Sequence, residues 1–418
     1  MSEKQKKKKH LVVVGGGAAG FFAALRVAEC APAWSVTLLE AARSPLQKVR
    51  ISGGGRCNVT HACFEPASLV GFYPRGGKAL RGAFAHFQPR DTVDWFAQRG
   101  IRLKTEADGR MFPTTDDSST IIRCFLDHAE RLDIDVRTRV GVEQIERRAQ
   151  GFVVQTRKGA SLAADAVLLT TGSSPQGHRI AKSLGHTVVD AVPSLFTFNI
   201  PDRALHQRSG VSVEDAEVRL ALPGVKKLMC ERGPVLVTHW GLSGPAVLKL
   251  SAWAARALAA CDYQTHCVVN WLSAFEQQHL RAALLQHKRE HPRQQCTAHP
   301  LFGIPKRLWQ YLLQRCAIDT ETSWQHLPKK AMHRILHALQ QCDFQIRGKS
   351  TFKEEFVTCG GIALDEVHFK TMQSRRCEGL YFAGEILNID GITGGFNFQS
   401  AWTTGWIAGS AIATSHDS

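Results

Sequence analysis

Residues 10 to 40 constrain this chain more than any other stretch. His10-Leu11-Val12-Val13-Val14 is a short apolar, β-branched run, Gly15-Gly16-Gly17-Ala18-Ala19-Gly20 follows at once, and Phe21 to Glu29 carries helix-forming residues. That order predicts strand, turn, helix. Gly15, Gly17 and Gly20, with Ala18 and Ala19 between the last two, have the G-x-G-x-x-G spacing of a dinucleotide site. The spacing lets the turn be tight, the backbone approach a pyrophosphate, and the helix pack closely on the strand. The pyrophosphate would lie on the helix N-terminus, where free N–H groups and the dipole favour an anion. Ser35 to Glu40 then reads as a second strand ending in an acid, 20 residues past Gly20, as a ribose-binding carboxylate should be. Glu40 also disfavours a 2′-phosphate there. A Gly-rich turn without a ligand would leave the second strand and its acid unexplained.

Lys4 and Lys6 to Lys9 precede an apolar stretch and so imitate a secretory signal. The imitation fails, because the stretch contains the fingerprint and reaches Arg26 without a small-residue cleavage site. Met1 to Lys9 reads as a solvated basic tail. With 44% hydrophobic and 21% charged residues over 418 positions, the expectation is a soluble protein of two or three domains, with no membrane contact. Its 12 cysteines form no C-x-x-C pair, so no metal site is expected and a reducing cytoplasm fits. A net charge of +15 is more than a small-molecule oxidoreductase needs, and it suits a partner made of nucleic acid.

Past Glu40 the chain reaches Ser52-Gly53-Gly54-Gly55-Arg56-Cys57-Asn58-Val59-Thr60. Such a stretch brings backbone close to a flat cofactor while polar groups face it. In a dinucleotide fold this position points toward the flavin end of FAD, which makes Gly54, Arg56, Cys57 and Asn58 cofactor candidates. Cys57 raises the flavin disulfide reductases as an alternative. Five residues separate it from the next cysteine, Cys63, instead of four or two, and no second nucleotide fingerprint occurs mid-chain. NAD(P)H, if it is the electron donor, would therefore visit the flavin without a domain of its own. Cys57 is left as a packing residue or a proton donor.

From Asp91 to Arg131 the pattern is mostly helical, with Pro113 punctuating and Thr114 to Thr120 resembling an N-cap region. Asp135 to Thr138 and Gly151 to Arg157 read as strands of a β-meander. Asp165 to Gly172 is a buried strand running into a turn, and Thr171-Gly172 resembles the segment of glutathione-reductase-type FAD domains that passes the cofactor. Near Pro193 the character changes. Residues 195–350 read as an inserted domain, with strands at Ala216–Leu222, Pro234–Thr238 and Thr265–Asn270, then helices at Phe275–Arg289, Pro305–Arg315 and Lys329–Gln341. From 271 to 350 there are 12 Lys and Arg against 5 Asp and Glu, a surplus of seven, and seven histidines besides. The steps Lys288-Arg289, Lys306-Arg307 and Lys329-Lys330, interleaved with Trp309, Tyr311 and Trp324, suit phosphate contacts and base stacking. Within Thr238-His239-Trp240-Gly241-Leu242-Ser243-Gly244-Pro245, His239 is placed as a general acid or base candidate.

The last stretch returns to the cofactor. Residues 378–385 read as a strand ending in Gly384-Glu385, whose carboxylate would meet the ribityl chain. The run Gly391 to Gln399, with Gly394-Gly395-Phe396-Asn397 inside it, then leads into an apolar helix expected over Ser400 to Ala413, whose start would face the flavin pyrimidine ring.

The runs 53–60, 238–245, 358–362 and 384–399 together resemble the bacterial NAD(P)/FAD-dependent, aminoacetone-oxidase-like flavoproteins. The resemblance implies an α/β protein: a Rossmann-like FAD-binding domain of glutathione-reductase type, with an inserted β-barrel plus helical domain. The FAD domain would comprise residues 1–194 and 351–418. Ser173 to His178 is shorter than the Gly-rich segment many relatives carry. Family members have been linked to aminoacetone oxidation, reduction of steroid enones, and reduction of uridine to dihydrouridine in large-subunit ribosomal RNA. The basic insertion and N-terminal lysines favour the RNA substrate, with Cys57 or His239 as the acid. A small-molecule flavin oxidoreductase and a non-catalytic flavin-bearing RNA-binding factor are the alternatives.

Overall fold

The computed structural model describes residues 8–224, 228–350 and 357–415. It divides the chain into two units, Met1–Val192 with Lys353–Ser418, and Pro193–Phe352.

In the first unit, strands Leu380–Phe382, Ala166–Leu169, Lys9–Val14, Trp34–Leu39 and Asp135–Arg137 lie side by side in that order, all parallel. The antiparallel pieces Gln373–Ser374 and Val367–His368 extend the edge beyond Leu380–Phe382. Leu11 to Val13 and Val167 to Leu169 are fully buried, as the centre of a parallel sheet covered on both faces requires. Helix Ala18–Cys30 follows the first strand and packs on the last helix, Phe396–Thr414. Their closeness depends on two glycines: a Cβ on Gly405 or Gly409 would stand 2.7 Å from the carbonyl oxygen of Ala19 or Ala23. Trp402 of the last helix sits among Phe22, Phe96 and Phe125, so this helix is a core element in a unit whose ends meet in space. Among the described residues, no helix is long and apolar enough to cross a membrane.

Four local expectations change. Lys9 is not tail: it opens the first strand, opposite Trp34, while Lys4, Lys6 and Lys7 lie outside the described residues. Asp135–Arg137 belongs to the parallel sheet, and the meander is Val142–Arg147, Phe152–Thr156 and Ser161–Ala164. Between helices Pro89–Ala97 and Ser118–Arg131 the chain forms a hairpin, Leu103–Thr105 with Arg110–Pro113. The helical expectation missed it because the third strand that completes the hairpin, Thr60–His61, lies far back in the sequence. The final helix begins at Phe396, directly on its glycine cap Gly395.

The second unit is a sheet of seven strands with helices inserted between them in sequence. Its order is Cys342–Arg347, Gln264–Asn270, Ser212–Ala221, Met229–Val237, Gly241–Ser243, Thr197–Asn199 and Lys349–Ser350. The first and last of these are one stretch of chain bent at Gly348 (φ +99°), whose N–H donates to Tyr263 O at 2.9 Å and whose carbonyl accepts from Asn199 N at 3.1 Å. The sheet thereby closes into a barrel, which leaves no open edge. Alternating Ala216, Val218 and Leu220, with Cys267, Val269, Phe344 and Ile346, fill its core. Helices Gln277–Glu290, Lys306–Arg315 and Lys329–Gln340 lie in sequence between strands Gln264–Asn270 and Cys342–Arg347. Here the stacking expectation fails. Trp309, Tyr311 and Trp324 are fully buried in the unit's core, Trp309 Nε1 donating to Cys296 O at 2.9 Å and Tyr311 to Asp202 Oδ2 at 2.7 Å. Trp309 and Tyr311 are on the buried side of helix Lys306–Arg315, and Trp324, itself buried, opens a short turn after it.

Candidate functional site

Four adjacent parallel strands end at Phe382, Leu169, Val14 and Leu39. Gly384, Thr171, Gly15 and Glu40 follow within two residues of those ends, so four of the candidate positions line the carboxyl edge of one sheet, where open α/β sheets bind ligands.

The three fingerprint glycines do three different things. Gly15 (φ +114°) lies against the neighbouring strand's end, where a Cβ would stand 2.5 Å from Thr170 O. Thr170 Oγ1 donates to Gly15 O at 2.8 Å. Gly20 is closed: a Cβ would stand 2.1 Å from Gly15 O. Gly17 is open, with no atom within 4 Å of an added Cβ. It caps the first helix, whose N-terminus has no side-chain cap and no acid in its first turn, where Ala18 and Ala19 stand. Open space over free N–H groups is a cradle for a phosphate. Glu40 accepts from Gly16 N at 2.8 Å and from Ala42 N at 2.7 Å, one bond to each oxygen. Each oxygen retains a lone pair for a ribose hydroxyl.

Farther along, Gly54 and Gly55 adopt positive φ with nothing within 4 Å of an added Cβ, a second open surface of backbone. The Thr171 hydroxyl is buried and has no partner among the described residues. Glu385 accepts from Thr358 N at 3.0 Å and pairs with Lys48, and its carboxylate lies 3.5 Å from where a Cβ on Gly172 would stand. Gly384 packs on Ala19, its added Cβ falling 2.9 Å from the alanine methyl.

Other candidates hold the loops. Asn58, with its amide turned to satisfy both neighbours, donates to Thr60 O at 3.1 Å and accepts from Gly395 N at 3.0 Å. Gly394 and Gly395 both have positive φ. Asn397 spans the turn before them, accepting from Gly391 N and donating to Gly391 O, both at 2.8 Å. Phe396 is buried, stacked on Phe72 at 4.4 Å and on His61 at 4.7 Å. Arg56 turns to the hairpin: it pairs with Glu106 at 2.6 Å and lies 3.9 Å over the Phe112 ring, and the Glu106 hydrogen bond raises its pKa. Cys57 is 0% exposed, and burial pushes its thiol up to about 12, partly offset by a hydrogen bond with Ser52. His239 belongs to the second unit, exposed on the turn beside Trp240, which is 55% exposed.

Sequence reasoning did not single out the groups that join these loops. Gln399 is fully buried and accepts from both Thr60 Oγ1 (2.6 Å) and Thr92 Oγ1 (2.9 Å). Arg75 pairs with the buried Asp390 just before the Gly391–Gly395 turn. The only signal was polarity inside otherwise apolar runs.

A Rossmann-like sheet with an open pyrophosphate cradle, a ribose carboxylate and a second glycine surface fits FAD, and with the inserted unit it defines an FAD-dependent oxidoreductase. The chain belongs to the family described as HI0933-like protein Rossmann domain, whose model matches residues 9–411. It is 29% identical to the 3-dehydro-bile acid delta(4,6)-reductase of Clostridium scindens over 402 residues, covering 94% of this chain and 96% of that one. It is 28% identical to the ribosomal RNA dihydrouridine synthase of Escherichia coli over 385 residues, covering 89% and 90%. In fold it is similar to a 3-ketosteroid delta1-dehydrogenase from Sterolibacterium denitrificans, with TM-score 0.51, 11% identity, and 97% and 99% of the two chains covered. Among the described residues, no group of three or more His, Cys, Asp or Glu is placed to hold a metal ion.

Proposed function

We propose that this oxidoreductase reduces the C5=C6 bond of a uridine in large-subunit ribosomal RNA. The observation that carries the reading is the charge of the second unit: its three long helices bear nine lysines and arginines against one acid, Glu290. A bile-acid-sized substrate has no use for that much positive charge; a polyphosphate chain does.

When bound and reduced, FAD supplies the hydride. The chain has three tasks: holding the cofactor, admitting an unstacked base, and delivering one proton. Gly17 and the first helix hold the pyrophosphate, and Glu40 the ribose. The C6 carbon gains the hydride, C5 gains a proton, and the double bond becomes single. His239 is the proton source in this reading, because its ring is open to solvent and can hand on a proton as a general acid. Cys57, the other candidate, is fully buried in the first unit, and burial raises its thiol.

A second reading, reduction of a small conjugated enone, is favoured by the similarity to the bile-acid reductase. The same hydride and proton would add across its double bond. Nucleoside mass spectrometry of ribosomal RNA from cells with and without the gene separates the two. The RNA reading expects dihydrouridine to disappear on deletion and to return with the wild-type chain but not with Gly17→Val. An unchanged nucleoside profile, with turnover of an enone by the pure holoprotein, selects the second reading.

A further inference from the structure

The first unit neutralises much of its positive charge internally. Arg56 pairs with Glu106, Arg75 with Asp390, Arg99 with Glu29 and Lys104 with Asp116. The barrel strands do likewise, Arg219 with Glu217 and Arg232 with Asp215. The three long helices of the second unit do not. Among the described residues, none of their nine lysines and arginines takes part in an ion pair. Those that are engaged donate to neutral groups, as Lys288 does to Leu327 O at 2.5 Å, Arg334 Nε to Cys316 O at 2.9 Å and Arg315 Nη1 to the Tyr311 hydroxyl at 3.2 Å.

Helices Lys306–Arg315 and Lys329–Gln340 each carry three basic residues and no acid, and in the second, which packs against both of the other long helices and against the barrel, they share one exposed face. The inward face of helix Lys329–Gln340 is Ala331, Met332, Ile335, Leu336 and Leu339. Outward stand Lys329, Lys330, His333, Arg334 and His337, every one exposed, and the helix contains no acid. Lys330 and Arg334 are four residues apart, a spacing at which like charges repel and destabilise the helix. Lys329 and Lys330 stand in the first turn, the end where the helix dipole disfavours cations. Helix stability therefore does not account for these side chains. No large apolar side chain interrupts the face, so it offers neither the aromatic or aliphatic anchors of a protein interface nor an edge for insertion into lipid. It is complementary to a chain of phosphates.

We infer that the outward face of helix Lys329–Gln340 docks the phosphodiester backbone of a folded RNA. The inference rests on the RNA reading above and adds to it the surface that carries the substrate. Phosphate contacts of this kind supply affinity without sequence choice and release counterions, so binding weakens steeply with salt.

The test uses the FAD-loaded protein and a transcript of large-subunit ribosomal RNA, with affinity measured at several salt concentrations. The variant is Lys329→Gln/Lys330→Gln/Arg334→Gln, and Arg137→Gln/Arg148→Gln/Arg157→Gln removes equal charge from the first unit. Flavin absorbance and circular dichroism report folding. The triple helix variant should flatten the slope of log affinity against log salt by about two to three, with binding at least ~10-fold weaker near physiological salt. The first-unit variant should keep the wild-type slope. A helix variant with the wild-type slope, or a first-unit variant that loses as much, overturns the assignment. Loss of binding to phosphatidylserine vesicles but not to RNA overturns it too. Dihydrouridine in complemented deletion cells keeps the two claims apart. If both wild type and helix variant restore it and the slopes match, the surface assignment falls and the RNA reading stands. If the slope flattens as expected but wild type restores none, the surface stands and uridine reduction falls.

Discussion

Arg75 and Asp390, 315 residues apart, form a two-point ion pair in which the Asp390 carboxylate is completely buried: Arg75 Nε donates to Asp390 Oδ1 at 2.6 Å and Arg75 Nη2 to Oδ2. Beside it, a Cβ on Gly76 would stand 2.5 Å from Ile389 Cγ1, so the two segments are in tight contact. Together they fix the segment that runs on into the Gly391–Gly395 turn.

Removing one partner leaves a charge without its counter-charge in a buried setting, which costs about 3–5 kcal/mol. Asp390→Asn and Arg75→Met should each lower stability by about that amount, with Arg75→Met/Asp390→Asn losing less than the two singles summed. Urea unfolding of the three FAD-loaded variants gives the coupling energy. A double variant whose loss equals the sum would mean the pair has no joint role.

The fingerprint glycines should separate folding from cofactor binding. Valine at Gly17 enters open space, so the protein folds and loses FAD. With phosphate hydrogen bonds worth about 1.5–3 kcal/mol each, the weakening is about 10- to 100-fold. Valine at Gly20 would drive a Cβ to 2.1 Å from Gly15 O, and no folded holoprotein should form. Circular dichroism and flavin absorbance on both variants decide.

Cys57 makes stability fall at alkaline pH. Its thiol is raised from 9.0 to about 12 in the folded chain, so between those values the unfolded chain has lost a proton that the folded chain keeps. The stabilisation is complete below pH 9 and declines by about 1.4 kcal/mol per pH unit above it, up to the folded value. Cys124, Cys296, Cys316 and Cys342, each raised to about 11 by burial, act in the same direction. Unfolding free energies measured from pH 8 to 11 should drop steeply for wild type and by about one proton less steeply for Cys57→Ala.

If His239 supplies the proton, His239→Gln should lower turnover by about 10²- to 10⁴-fold. FAD content and reduction of the flavin by dithionite should stay normal. Turnover within a few-fold of wild type would remove His239 from the mechanism.

The parts of this protein readable from the chain alone are those whose signal is local. A β-branched run before G-x-G-x-x-G, an acid at the end of the next strand, and the 3.6-residue pattern from 329 to 341 depend on neighbours a few residues away. They specified the Rossmann-like sheet, the FAD cradle and the helices of the insertion without any knowledge of contacts. The same local logic misled at Trp309, Tyr311 and Trp324, because aromatic and basic residues alternate equally well on a nucleic-acid surface and on an amphipathic helix. Only packing showed that the aromatics face inward while Lys329, Lys330 and Arg334 face water. Tertiary structure likewise decided that Asn58 meets Gly395, that Gln399 gathers Thr60 and Thr92, and that Gly348 closes the barrel. In each case the polar group has lost most or all of its water and a partner distant in sequence replaces it; which partner that is depends on where the chain folds back.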